Sequence, residues 1–174
     1  RLYLSGAEID SVSPREYTAI VRRRIASIIG LFDHTVLRNE GAAWFRCGMY
    51  LERADMTSRI VDSKYYVVLP STAQVEGPLD SAQWKSVLRS ASALEAFRRR
   101  HREGVTGTLV AEMLLFDLDF PRSLTFALRE LRSSFEMAIG ASSSQPQVVE
   151  PMREIILLQL DLQAADIRGV IDTG

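Results

Sequence analysis

Four charged residues on one long helical stretch lie close enough to act together. At 100° steps, Glu52, Asp55, Arg59 and Asp62 fall within about 80° of one another. Asp55–Arg59 has i,i+4 spacing and Arg59–Asp62 has i,i+3 spacing, so these side chains are neighbours on one face. Two readings are open. The line is either a polar seam inside a helical bundle, with Arg38 and Glu40 at its mouth, or a solvated face. On a solvated face each pair contributes about 0.3–0.5 kcal/mol. A carboxylate-only magnesium site from Glu52, Asp55 and Asp62 would need several coordinating waters, and Arg59 argues against it. The Glu-x-x-His spacing of di-metal bundles does not occur. No metal or other cofactor is expected.

Other reactive types are sparse. Cys47 shares an apolar line with Leu51, Ala54, Val61 and Tyr65, which reads as a packed thiol rather than a nucleophile. A single cysteine allows no internal disulfide. His34 and His101 leave too little nitrogen for a typical zinc site, and His34 reads as loop packing. Arg98-Arg99-Arg100-His101-Arg102 would suit a phosphate backbone. Cations at a helix C-terminus are favoured by the helix dipole, however, and no aromatic interleaving or phosphate loop accompanies the run. No nucleic-acid partner is expected.

The elements that must position these residues are helical. Ser13-Pro14-Arg15-Glu16 is a capping box with proline at the first helical position. It opens a helix with Tyr17, Ile20, Val21, Ile25, Ile28 and Ile29 on its apolar line, closed by Gly30. A long helix is expected from Asn39, its N-cap, to Leu69 before Pro70, roughly 45 Å of rod. A second apolar line on it, Phe45, Met49, Met56, Ile60 and Val67, implies a helix wedged between neighbours. Ser71–Leu79 reads as a loop, and Asp80–Arg102 as a helix with Trp84, Leu88, Ala91, Leu94 and Phe97 inward. Small residues at Ser86, Ser90, Ser92 and Ala93 would let another helix approach. A short helix over Thr108–Phe116 precedes a turn over Asp117–Pro121, and Pro121 starts the next helix. Gly140–Gln147 is a Ser-rich break, the expected place for disorder near 140–148. The last helix, Pro151–Ile171, is apolar nearly all round at Ile155–Leu158 and is expected to be central. The fold class is all-α, an antiparallel bundle of about six helices around one long central helix.

Composition is consistent with this. A chain of 174 residues suits a single domain over 1–174, and 47% hydrophobic with 25% charged residues is ordinary for a globular protein. A net charge of −1 gives no long-range pull toward nucleic acid or an anionic membrane. No apolar run reaches the roughly 20 residues that span a bilayer, and no signal pattern opens the chain, so a cytoplasmic protein without a membrane partner is expected. The first residue is Arg1, so a fragment is expected.

Four segments together resemble the bacterial alpha-E domain family, helical proteins named for a Glu-Arg motif. They are Val36–Gly41; Tyr50-Leu51-Glu52-Arg53-Ala54-Asp55-Met56-Thr57 with Lys64-Tyr65; Trp84 through Leu88–Ala96 to Arg98; and Phe116-Asp117 with Phe120-Pro121-Arg122-Ser123. Typical members resemble a duplication, and this chain is similar to the C-terminal half. The resemblance carries no established catalytic residue. The matching positions are Arg38, Glu40, Glu52, Arg53, Asp55, Arg89, Glu95, Asp117 and Arg122, with Asn39 where an acidic residue is expected. The resemblance implies an ATP-grasp partner and a transglutaminase-like partner, in a system that forms or modifies peptide-like amide bonds.

Two functions follow. One is a non-catalytic helical partner of that ligation system, with self-association into a homo-oligomer a further option. The other is a bundle enzyme or ligand-binding protein whose buried site is the Glu52, Asp55, Arg59 and Asp62 line. On either, Glu52 and Arg53 point about 100° apart and should bond different neighbours. Expected partners are Glu95 or Asp117 for Arg53, and Arg38, Arg89 or Arg122 for Glu52.

Overall fold

Local signals in the chain set where its helices begin. Ser13 Oγ accepts the Glu16 N–H while the Glu16 carboxylate accepts the Ser13 N–H, a complete capping box that opens α1 (Pro14–Thr35). Asn39 Oδ1 accepts the Ala42 N–H at 3.1 Å and so caps α2 (Glu40–Val68). The computed structural model describes residues 13–68, 78–140 and 145–165. Among these it has seven α-helices and no strand. The others are α3 (Pro78–Ser90), α4 (Leu94–Arg100), α5 (Gly107–Phe116), α6 (Leu124–Ile139) and α7 (Pro146–Ala164).

The chain divides into two compact units, residues 1–38 and 39–174. The first contributes α1, which carries no buried residue. It runs past the expected stop at Gly30, because nothing at Gly30 imposes a left-handed turn. The helix ends only where Val36 turns extended and its N–H bonds Phe32 O.

In the second unit α2 is the longest element, 29 residues or roughly 44 Å. It packs most extensively on α6, and also on α3 and α5, while α7 packs on α6. Small residues make the α2–α6 seam close: Ala43, Cys47 and Ala54 meet Ala127, Leu131 and Phe135 in one apolar cluster. Trp44 adds an edge-on ring contact to Phe135, 5.5 Å between centroids. Toward its other end, Val61 joins a second cluster built by Trp84, Leu88, Phe97, Val110 and Leu114. One face of the rod therefore serves two cores.

The second apolar line does not share in that burial. Phe45 is 44% and Met56 48% exposed, and Met49 and Ile60 are half-buried, so α2 is covered along one face rather than wedged on both. Leu51, expected inward beside Cys47, is 58% exposed. The side chains of Lys64, Tyr65 and Val67, the helix end at Leu69 and residues 71–77 of the expected loop lie outside the described residues, while Pro78 and Leu79, expected in that loop, open α3.

The expected helix over Asp80–Arg102 is two helices. The Ala93 N–H reaches Leu88 O at 2.7 Å and the Ser92 N–H reaches Arg89 O, with Ser92 at φ 53. This closing pattern satisfies the last carbonyls of α3 and breaks the rod. Ala91 and Ala93 are buried at the break, whereas Ser86, Ser90 and Ser92 are exposed. Gly107 opens α5 directly against the Trp84 indole: an added Cβ would lie 2.7 Å from its Nε1. Helix α6 starts at Leu124 with Ser123 as cap, three residues after the proline expected to open it. It ends at Gly140, whose φ of 43° suits glycine.

Helix α7 begins earlier than expected. Gln145 is extended and Pro146 takes the first helical position, leaving Pro151 inside the helix. Only Ile155 is buried on it, and Leu158 is 52% exposed, so α7 lies at the side of the unit rather than at its centre. Of the expected break at Gly140–Gln147, Gly140 does close α6, but Pro146 and Gln147 already belong to α7. Residues 141–144, and the predicted helix beyond Ala165, lie outside the described residues.

Candidate functional site

The turn between α5 and α6, residues 117–123, is built on its own polar side chains. Asp117 Oδ1 accepts the N–H groups of Asp119 and Phe120 at 2.8 and 3.0 Å, which folds the chain back on itself. Its other oxygen pairs with Arg100 at the end of α4, and Arg100 also approaches Asp119 at 3.8 Å. Ser123, fully buried, donates its hydroxyl to Asp117 O and accepts the Phe126 N–H as the α6 cap. Thr125 fastens the first turn of α6 to Leu115 O at 2.8 Å.

Helix α2 holds this turn from the side. Arg53 donates from Nη1 to Pro121 O at 3.1 Å, and Thr57, one helical turn later, donates from Oγ1 to Arg122 O at 2.9 Å. Thr57 is buried, and Arg53 is half-buried with its guanidinium 5.2 Å over the Tyr50 ring. Burial pushes the Arg53 guanidinium below its ordinary range; Tyr50 works against that shift and the Arg122 charge adds to it. Arg53 therefore bonds neither Glu95 nor Asp117. Asp117 is taken by Arg100, and Glu95 pairs with Arg98 on its own helix at 3.0 Å.

Glu52 behaves differently. It is exposed, and among the described residues it makes no hydrogen bond or ion pair. Its charge adds to the field that raises the Arg59 pKa. Of its expected partners within the same unit, neither Arg89 nor Arg122 bonds it. Asp55, Arg59 and Asp62 are exposed as well. Arg59 Nε reaches both Asp55 oxygens, at 2.9 and 2.8 Å, which raises the Arg59 pKa. The four-residue line is solvated, not a buried seam. Leu51 borders it on one side of the helix and Met56 on the other, both exposed.

The remaining candidates are dispersed. Glu40 accepts Trp44 Nε1–H at 3.3 Å at the start of α2, Arg89 is exposed near the end of α3, and Arg38 belongs to the first unit. Arg53, Asp117 and Arg122 are the three that converge. Sequence reasoning missed the roles of Thr57, Arg100 and Ser123 around them. The i,i+4 spacing of Arg53 and Thr57 and the Asp-x-Asp turn were the available signals.

Cys47 is buried in the α2–α6 seam, where loss of water pushes its thiol pKa up. Two arginines of the 98–102 run are committed to carboxylates, Arg98 to Glu95 and Arg100 to Asp117. No three His, Cys, Asp or Glu side chains among the described residues are grouped to hold a metal ion. No described helix is long and apolar enough to cross a membrane. Between α6 and α7 a cavity of about 500 Å³ is lined by Ile139, Met152, Ile156 and Leu157, with Glu136 and Arg153 beside them.

No curated protein and no solved structure matches the chain. A family model does, over residues 1–174: Alpha-E, described as a predicted alpha-helical domain with a conserved ER motif. Glu52-Arg53 is the chain's one Glu-Arg dipeptide, and it sits at the turn-holding position of the longest helix. With an all-helical fold and a family match along its whole length, this chain belongs to the Alpha-E family.

Proposed function

We propose that this Alpha-E protein is a non-catalytic helical partner of an ATP-grasp protein, and of a transglutaminase-like protein, in a cytoplasmic system that forms or modifies peptide-like amide bonds. The reading is supported by the outer face of α2. There Glu52, Asp55, Arg59 and Asp62 stand in solvent between exposed Leu51 and Met56. Charges bordered by exposed apolar side chains form the kind of rim and centre that protein interfaces use. A catalytic carboxylate line would need a closed polar pocket, and this line is open.

Co-expression with an ATP-grasp protein of the kind the family resemblance implies tests the proposal. A complex should survive gel filtration, and Glu52→Lys with Met56→Asp should weaken it by about tenfold or more, with stronger salt dependence for the charge change. Glu136→Lys, on α6, should leave the affinity unchanged. Absence of a complex, or equal affinity of the double variant, refutes the proposal.

A further inference from the structure

The cleft between α6 and α7 has a volume of about 500 Å³, within the roughly 300–1,000 Å³ of small-molecule sites. Its floor is set by packed side chains: Ile139 is buried, and Met152 and Ile156 are half-buried. Val149 and Leu157 are exposed and form its lip, spanning about 12 Å along α7. Gly140 closes α6 at the edge of the cleft. A Cβ there would meet nothing within 4 Å, so that edge is open.

Two charged side chains line the cleft, one from each helix, and they are not equally committed. Arg132 Nε donates to the Glu136 carboxylate at 2.9 Å, so that charge is matched on its own helix. Arg153 lies 3.7 Å from Glu150, outside hydrogen-bond range, with both side chains exposed. An exposed pair of this kind contributes little and gives way readily to a better acceptor. On α7, Arg153 falls within about 60° of Val149, Ile156 and Leu157, so its stem shares their side of the helix. The cleft therefore sets an apolar space beside a guanidinium with donors to spare. A neutral ligand would leave those donors unused, and a cation would have to displace Arg132 from Glu136. A carboxylate takes two parallel N–H···O bonds from one guanidinium.

We propose that the α6–α7 cleft binds a small monocarboxylic acid with an apolar body, its chain against Met152 and Ile156 and its carboxylate on Arg153. The site uses no residue of the α2 docking face, and it stands or falls apart from that face.

Methyl NMR on the full chain, labelled at methionine and isoleucine, tests it with octanoate, 1-octanol and octylammonium as probes below their micelle concentrations. The Met152 and Ile156 methyl signals should move saturably with octanoate, while those of Met56, exposed on α2, and Met113, buried in the other cluster, stay in place. Octanoate should bind about threefold or more tighter than 1-octanol, and octylammonium more weakly than either. Arg153→Gln should abolish the preference for octanoate over 1-octanol at an unchanged melting point, because the side chain is exposed. Leu157→Asp, also at an exposed position, should weaken octanoate about tenfold or more. Equal affinity for octanoate and 1-octanol in the wild type, a preference that survives Arg153→Gln, or equal movement of the Met56 signal would each overturn the proposal. So would a dimer in sedimentation that Leu157→Asp abolishes, since a second copy would then fill the cleft.

Discussion

Arg53 and Pro121 are 68 residues apart in sequence, and a guanidinium-to-carbonyl hydrogen bond of 3.1 Å joins them. That bond ties the longest helix to the turn from which α6 starts. It gives the arginine of the Glu-Arg motif a structural task that its glutamate does not share.

Thr57 is the second tie and should be separable from the first. Thr57→Val keeps the shape and removes the hydroxyl that reaches Arg122 O. We expect a loss of about 1 kcal/mol in urea unfolding at pH 7. The Arg53→Met/Thr57→Val pair should be non-additive by about 0.5 kcal/mol or more, because both hold one turn. Strict additivity in a double-mutant cycle would show that the two bonds do not cooperate.

Gly107 should tolerate no side chain. A Cβ there would meet the Trp84 indole at 2.7–2.9 Å, and Trp84 is itself part of a buried cluster. Gly107→Ala should cost about 1–3 kcal/mol by overpacking and should alter tryptophan fluorescence. A variant as stable as wild type would mean that the ring moves aside freely.

Ser92 sits at φ 53 in the break between α3 and α4. A left-handed conformation costs a side-chain-bearing residue about 1–2 kcal/mol, part of which glycine returns as extra unfolded-state freedom. Ser92→Gly should therefore stabilise the protein by about 0.5 kcal/mol in thermal melts. A lower melting point would show that the serine side chain contributes more than its backbone costs.

Cys47 gives the pH dependence. Its folded-state pKa is raised by burial, so the folded protein keeps the thiol protonated where the unfolded chain begins to ionise. The stabilising contribution is complete below the ordinary thiol pKa of about 8.5 and is lost as pH rises through the higher folded value. Native labelling with a thiol reagent at pH 8 should be slow, and wild type should lose stability relative to Cys47→Ala above pH 8.5. Rapid native labelling would contradict the buried placement.

Much of the scaffold was legible in the residues themselves. The Ser13–Glu16 box, the Asn39 cap and the packing of Cys47 follow from short-range chemistry or from helical angle, and all are present. The partner of Arg53 was not legible, because it is a backbone carbonyl in a distant turn, and helical angle reports a side chain's direction without naming what waits there. The split of the predicted Asp80–Arg102 helix depends on one serine in a left-handed conformation, which its sequence neighbours do not announce. The apolar residues of α7 suggested a centre, yet Val149, Leu157, Leu158 and Leu160 are exposed, since apolar character alone does not say which side of a helix is covered. Of the candidate site, the angular separation of Glu52 from Arg53 was readable. The solvation of the Glu52 line was one of two open readings, and burial decided between them.

Thermal melts of Arg53→Met and Glu52→Gln, run side by side, test most directly the claim that the motif divides into a structural arginine and a solvent-facing glutamate. Arg53→Met removes a partly buried charged hydrogen bond and should lower the melting temperature by about 3–6 °C. Glu52→Gln changes an exposed, unbonded side chain and should stay within about 1–2 °C of wild type. Equal losses in the two variants, or an unchanged Arg53→Met, would contradict the account.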